Sequence, residues 1–175
     1  MSNIASNYLV TGKEATRHGT SHPSIVPYQT FQSKDGHIMI GAGMFLIISM
    51  NSFNRYNLGN DGQFKSLAKA LGKDNWINDE KFSTNANRVK HRNQLVEELS
   101  QILSEDSVDN WCRKFEGNIF SFGPVNNMQR TFEHPQSIAR NVVTEIEHPR
   151  IGNLKITSPA VKYGEDKMKV RLPPP

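Results

Sequence analysis

VPYQTFQSKDGHIMIGAG, residues 26–43, decides the fold class. Val26–Phe31 and His37–Gly41 are rich in β-prone residues, and they flank the four residues Ser-Lys-Asp-Gly. An Asp-Gly pair between two such runs is a hairpin signal, because both residues tolerate the backbone angles of a tight reversal. The apolar run continues past the second strand, from Ile38 to Met50. It falls short of the roughly 20 residues that a helix needs to cross a bilayer. It reads as a buried strand with an extension, which gives no reason to expect a membrane partner.

Downstream the pattern turns helical. Phe64, Leu67 and Leu71 recur at helical spacing over Gln63–Leu71, and Gly72 marks a stop. The spacing predicts one long helix over Asn85–Ser104, with Val89, Leu95, Val96, Leu99, Ile102 and Leu103 on its apolar face. Ser107 can cap the next helix, on which Val108, Trp111, Cys112 and Phe115 share a face before Gly117. Asn126 with Gln129 suggests a capping box for a further short helix. Val142–Glu147 and Leu154–Thr157 read as a second hairpin, with Pro149 and Gly152 in its turn. Upstream, Asn3–Val10 reads as a helix ended by Gly12, and Arg17–Tyr28, with its Gly and two Pro, as an ordered loop. Antiparallel hairpins packed with helices make the fold class α+β.

The 175 residues carry 36% hydrophobic and 22% charged side chains, a composition suited to a globular domain. The net charge of +4 is mild and scattered. Arg88, Lys90 and Arg92 form one basic cluster, and Lys162, Lys167, Lys169 and Arg171 another, with acidic residues between; both read as solvated faces. An aromatic-and-basic surface pattern is missing, so a nucleic-acid partner is not expected. The single cysteine, Cys112, allows no internal disulfide and sits among Val108, Trp111 and Phe115 as a core residue rather than a nucleophile. No His, Cys, Asp and Glu spacing suggests a metal, and no Gly-rich phosphate loop follows a strand. The first residues show neither a charged region before an apolar stretch nor an Arg-rich transit pattern, so no targeting signal is expected.

Several stretches, in order, resemble class III CoA-transferases of the CaiB/BaiF type: NYLVTGKEATRHGTSHPSIVPYQTF, DGHIMIGAG, NDGQFKSLAKALG, GPVNNMQRTFEHPQ and EHPRIGNLKITSPAVKY, with the terminal Pro-Pro-Pro. The likeness covers nearly the whole chain. Two departures stand out. Met44–Gly59 matches nothing in the family's pattern, as a retained intron or a surface insertion would. Ser121 stands where a proline is usual, which puts the local loop shape in question.

The resemblance implies a domain plan. Residues 1–23 would be a helix and linker from a large domain, 24–171 a small domain with the insertion at 44–59, and 172–175 the start of a return to the large domain. It implies transfer of CoA from a dicarboxylic acyl-CoA, such as succinyl-CoA, to a carboxylic acid such as glutarate. The nucleophilic aspartate and the main CoA groove would lie in the large domain, so no catalytic residue is expected in this chain and the fragment alone should be inactive. Coenzyme A would enter as a substrate, with no permanently bound cofactor. The full-length protein would be a mitochondrial, interlocked homodimer. An acyl-CoA racemase of the same fold, and an inert interaction module, are the alternatives.

By position in the family, the loop Arg17–Tyr28 would cover the active site, with Gly19, His22, Pro23 and Tyr28 as its substrate-loop residues. Gly19 would let backbone approach the acyl group. His22, and less strongly His18, would orient an acceptor carboxylate. The structural alternative is that Gly19 and Pro23 only shape a linker and that the histidines are incidental. His134 and His148 each precede a proline and read as turn or cap residues.

Overall fold

The first hairpin forms as expected, in a computed structural model that describes residues 2–42, 61–163, 166 and 167. Strands β1 (Tyr28–Gln32) and β2 (His37–Gly41) pair antiparallel, with Phe31 opposite Ile38 and Thr30 opposite Met39. Ile38 and Ile40 have no exposed surface while His37 is exposed, the period of two that a half-buried strand requires. β1 starts at Tyr28 rather than Val26. Pro27 has no N–H for a ladder, and the backbone N–H and C=O of Val26 are taken by the side chains of Asn85 and Arg88.

A third strand, β3 (Ser121–Pro124), completes the sheet in the order β1-β2-β3, with Phe122 opposite Ile40. β3 is not among the strands expected from the sequence. The overlooked signal is the two-residue spacing of Phe120, which is buried, and Phe122, which packs against the core. Pro124 is tolerated because β3 is an edge strand. Ser121, the departure that left the loop shape in question, is simply the first residue of this strand, opposite Gly41.

The helices are α1 (Ser2–Thr11), α2 (Asp61–Ala70), α3 (Asn75–Asn78), α4 (Asn85–Lys90), α5 (Arg92–Ser104) and α6 (Val108–Phe115). Gly12, Gly72 and Gly117, expected as stops, all have positive φ. The long helix expected over 85–104 is two helices. His91, at φ −102° and ψ +24°, leaves helical geometry between them. On an unbroken helix, residues 88 and 92 would lie one above the other. Here Arg88 bonds to the carbonyl of Val26, whereas Arg92 bonds to those of His22 and Pro23. The apolar stripe resumes in phase on α5, where Leu95, Leu99 and Leu103 have no exposed surface. Periodicity therefore gave no hint of the break.

α5 packs on β1, and α6 on β3 and α2. Trp76, Phe64 and Phe82 form one aromatic group, and Trp111, Phe115, Phe120 and Phe122 another. Both buried indoles find acceptors, Trp76 at Glu98 Oε2 and Trp111 at the Leu103 carbonyl, each at 3.0 Å. The hairpin turn has a second task. Asp35 Oδ1 accepts from the Val108 N–H at 2.8 Å, so the turn also caps α6, alongside Ser107, whose Oγ accepts from Asn110 N. Hydrogen bonds from the Asn110 amide and the Ser107 N–H hold the neighbouring Asp106 carboxyl below its ordinary range.

The first basic cluster is divided: Lys90 is exposed, as expected of a solvated face, whereas Arg88 is not. Arg88 is fully buried. Its Nε donates to Val26 O, Nη1 to Phe82 O and Nη2 to Asp61 Oδ1, each at 2.8 Å, and its guanidinium lies 4.3 Å from the centre of the Phe64 ring. Burial pushes its pKa down from the ordinary arginine value, and the hydrogen bond and charge of Asp61 oppose that shift. A guanidinium with all three faces bonded stays charged. One side chain thus ties the entry to β1, the segment before α4 and the first turn of α2.

The residues fall into two units, Met1–Val125 and Asn126–Pro175. In the second, α7 (Met128–Glu133) and α8 (Pro135–Ala139) precede the expected hairpin of β4 (Val143–His148) and β5 (Gly152–Thr157), with Ile146 opposite Leu154. The two-residue strands β6 (Lys162–Tyr163) and β7 (Asp166–Lys167) follow. The cap of α7 is Asn127, not Asn126, and accepts from Arg130 N at 2.8 Å. Gln129 bonds to Glu133 instead of closing a capping box. None of residues 126–161 is buried. Among the described residues no helix is long and apolar enough to cross a membrane. Met44–Gly59 and the terminal prolines lie outside the described residues.

Removing Arg88 leaves two backbone carbonyls without their donor, while Asp61, 36% exposed, can turn to water. Breaking one side of a fully buried pair costs about 3–5 kcal/mol, and the exposure of Asp61 places this one at the lower end of that range. Arg88→Ala is expected to lose that much in urea unfolding, while Asp61→Asn, which keeps an acceptor oxygen, loses distinctly less. A loss under about 1 kcal/mol for Arg88→Ala, the range of an exposed pair, would contradict the assignment.

Candidate functional site

The loop from Arg17 to Tyr28 lies along the outer edge of β1. His22 N donates to Tyr28 O at 2.9 Å, Thr30 N to Thr20 Oγ1 at 3.1 Å, and Ser21 Oγ to Gln29 Oε1 at 2.8 Å. These bonds occupy backbone and side-chain positions that an edge strand would otherwise offer to another chain. The rings of His22 and Tyr28 stack in parallel, 5.5 Å apart and 9° from coplanar. Tyr28 lies over Gly41, where an added Cβ would meet its ring at 3.4 Å.

The far side of the loop is held by helices. Asn85 bridges it, accepting from Val26 N at 3.1 Å and donating to Ser24 O at 2.9 Å. Arg92 donates through Nη1 to His22 O at 2.9 Å and through Nη2 to Pro23 O at 2.6 Å. With Arg88 on Val26 O, three side chains of α4 and α5 bond backbone groups of residues 22–26. Sequence reasoning found the loop but missed these anchors. Arg88 and Arg92 looked like surface charge, and only their placement opposite the loop reveals otherwise.

Of the residues expected to form a substrate loop, His22 and Tyr28 are brought together, Pro23 follows as an exposed residue whose carbonyl is held by Arg92, and Gly19 stands apart and exposed. His18 is exposed, with Nε2 3.4 Å from Thr16 Oγ1. Gly19 has φ +58°, and a Cβ there would meet nothing within 4 Å. Its glycine is required by backbone angle, not by space within this chain.

His22 shares its geometry with the two histidines read as turn residues. His22, His134 and His148 all precede a proline, and in each Nδ1 accepts from the backbone N–H two residues on: Ser24 at 3.2 Å, Gln136 at 3.1 Å and Arg150 at 3.1 Å. The triple His-Pro was the signal in the sequence for this arrangement. An imidazole nitrogen that accepts from an amide carries no proton, so the neutral ring holds its proton on Nε2. Cys112 is half-buried and packed against the core. Among the described residues no group of three or more His, Cys, Asp or Glu could hold a metal ion.

The family model for CoA-transferase family III matches residues 53–175. The chain belongs to CoA-transferase family III. It is 40% identical, over its whole length, to 36% of human succinyl-CoA:glutarate CoA-transferase. It is 32% identical, over 84% of its length, to 33% of the succinate–glutarate CoA-transferase of Agrobacterium fabrum. Its fold is similar to the crystal structure of a CaiB/BaiF family protein from Brucella suis, with a TM-score of 0.73 and 29% identity over 95% of this chain and 39% of that one. The chain thus spans about a third of the length of the curated relatives it matches. The α+β fold class read from the sequence agrees with these relatives and with the hairpins and helices observed.

The left-handed angle at Gly19 gives the next expectation. A Cβ at positive φ is strained whatever space surrounds it, at roughly 1 kcal/mol. Gly19→Ala is expected to raise amide hydrogen exchange across Gly19–His22 with little change in the melting temperature, and Gly19→Asn to do so less. Unchanged exchange in Gly19→Ala would show that the angle is not held in solution.

Proposed function

We propose that this chain forms the small-domain part of a CoA-transferase that moves CoA from succinyl-CoA, or a similar dicarboxylic acyl-CoA, to glutarate or a similar carboxylic acid. The observation that carries the proposal is the 40% identity, along the entire chain, to human succinyl-CoA:glutarate CoA-transferase. In this reading residues 1–23 link to a large domain, 24–171 form the small domain, and 172–175 lead back. The complete enzyme is an interlocked homodimer in the mitochondrion.

The chemistry proposed is covalent. An aspartate carboxylate outside this chain attacks the thioester carbon, CoA leaves as the thiolate, and a mixed anhydride forms. The thiolate then attacks back on the aspartyl carbonyl, which releases the donor acid and leaves CoA joined to the enzyme. The acceptor carboxylate then attacks the aspartyl thioester carbon and expels CoA as the thiolate, forming a second mixed anhydride; the thiolate attacks the acceptor's acyl carbon, which forms the new acyl-CoA and frees the aspartate carboxylate. Charge develops on successive tetrahedral oxygens, and water must be kept out. The part of this chain is the loop Arg17–Tyr28, which closes over the reacting groups. Gly19 allows close backbone approach, Pro23 and Tyr28 shape the loop, and His22 offers Nε2–H to a carboxylate. The ordered, helix-anchored loop supports that role, since a donor aimed at a substrate must be held in place to contribute.

Incubated with succinyl-CoA and glutarate, the purified chain is expected to produce no glutaryl-CoA by mass spectrometry. Adding a separately produced large-domain segment that carries the aspartate should restore turnover, and changing that aspartate to alanine should abolish it. Turnover by the chain alone would overturn the proposal, as would a complemented preparation whose activity survives loss of the aspartate.

A further inference from the structure

Two adjacent carbonyls of the loop, those of His22 and Pro23, are bonded to one guanidinium. Arg92 holds His22 O at 2.9 Å and Pro23 O at 2.6 Å through separate nitrogens. The His22 amide is bonded to Tyr28 O, the ring is stacked on Tyr28, and Nδ1 is occupied by the Ser24 N–H. Every backbone group of His22 and one of its ring nitrogens are therefore committed. What is left is Nε2, in the tautomer that carries the proton.

We infer that Arg92 is the positioning residue of this loop: its two-pronged bond to the carbonyls of residues 22 and 23 fixes the turn in which His22 keeps Nδ1 as acceptor and Nε2–H as its remaining donor. The fork geometry of arginine suits two adjacent carbonyls, which a single ammonium cannot bond through separate atoms. Arg92 stands at the first position of α5, directly after the irregular His91, so the break between α4 and α5 is what brings it to this stretch while Arg88 reaches Val26. Arg92 acts through the loop and need not touch a substrate. The inference rests on the reading of Arg17–Tyr28 as the substrate-facing loop for its meaning in catalysis, but not for its test.

The test is nitrogen-15 NMR of the histidine side chains and amide hydrogen exchange in the 175-residue chain. In the unsubstituted chain His22 should show an unprotonated Nδ1 and a protonated Nε2, the same signature as His134 and His148. A neutral His22 protonated at Nδ1, or a free mixture of tautomers, overturns the inference without any variant. In Arg92→Ala, His22 should change to the averaged signature of an exposed histidine while His134 and His148 stay unchanged. Exchange at the His22 and Ser24 amides should rise roughly tenfold or more, as expected for loss of bonds to a charged donor, with Leu99 and Leu103 unaffected. Arg92→Lys should behave like the alanine variant, and recovery of full loop protection by lysine would assign the effect to charge and overturn the fork. A uniform rise in exchange across loop and core would mark Arg92 as a general stabiliser and likewise overturn it. None of these readouts involves turnover. If they hold and the complemented enzyme fails, the functional reading falls and the positioning role stands.

Discussion

The buried guanidinium of Arg88 is the constraint on which the first unit depends. A charge without access to water is tolerated only when it is paired and its remaining donors are bonded. Arg88 meets that condition with acceptors from three separate segments: Val26, Phe82 and Asp61. Each must stay in place for the others to be worth keeping. The geometry of β1's entry, the loop before α4 and the start of α2 are therefore linked through a single side chain, in a way that apolar packing alone does not enforce. Hydrophobic burial supplies most of the stability, but it is non-directional. The arginine supplies direction.

That link extends to the candidate site. Val26, which Arg88 fixes, is the last loop residue before Pro27 and β1. Asn85 and Arg92 carry the same support back along the loop to Pro23 and His22. Helices that pack on the core thus also hold the backbone of a surface loop. A donor group is effective only where its backbone is held, and these helices hold the backbone of residues 22–26.

Much of the scaffold was legible in the sequence. Both hairpins, the stops at Gly12, Gly72 and Gly117, the Ser107 cap and the apolar face of Val108, Trp111 and Phe115 follow from local chemistry and periodicity. What was hidden depended on contacts between distant residues. The break at His91 leaves the apolar phase intact. β3 is a short edge strand whose pattern rests on two phenylalanines and ends in a proline. The role of Arg88 contradicts the ordinary solvated behaviour of a basic cluster, and its partners lie 27 and 62 residues away. His22 was weighed as an isolated loop histidine, although its His-Pro context, repeated at 134 and 148, already pointed to a turn-capping ring. The family resemblance located the loop; the residues that hold it became visible only with the fold.

The most direct measurement of this dependence is the hydrogen exchange of the Arg88 side chain itself, followed by nitrogen-15 NMR of its Nε–H. If Arg88 is buried and bonded as described, that proton should exchange only when the unit opens globally, at a rate matching the most protected amides of Leu95, Leu99 and Leu103. Exchange as fast as that of an exposed guanidinium such as Arg113 would show that Arg88 meets solvent without unfolding. In that case the buried arginine could not be the point at which the loop, the sheet and the helices are joined.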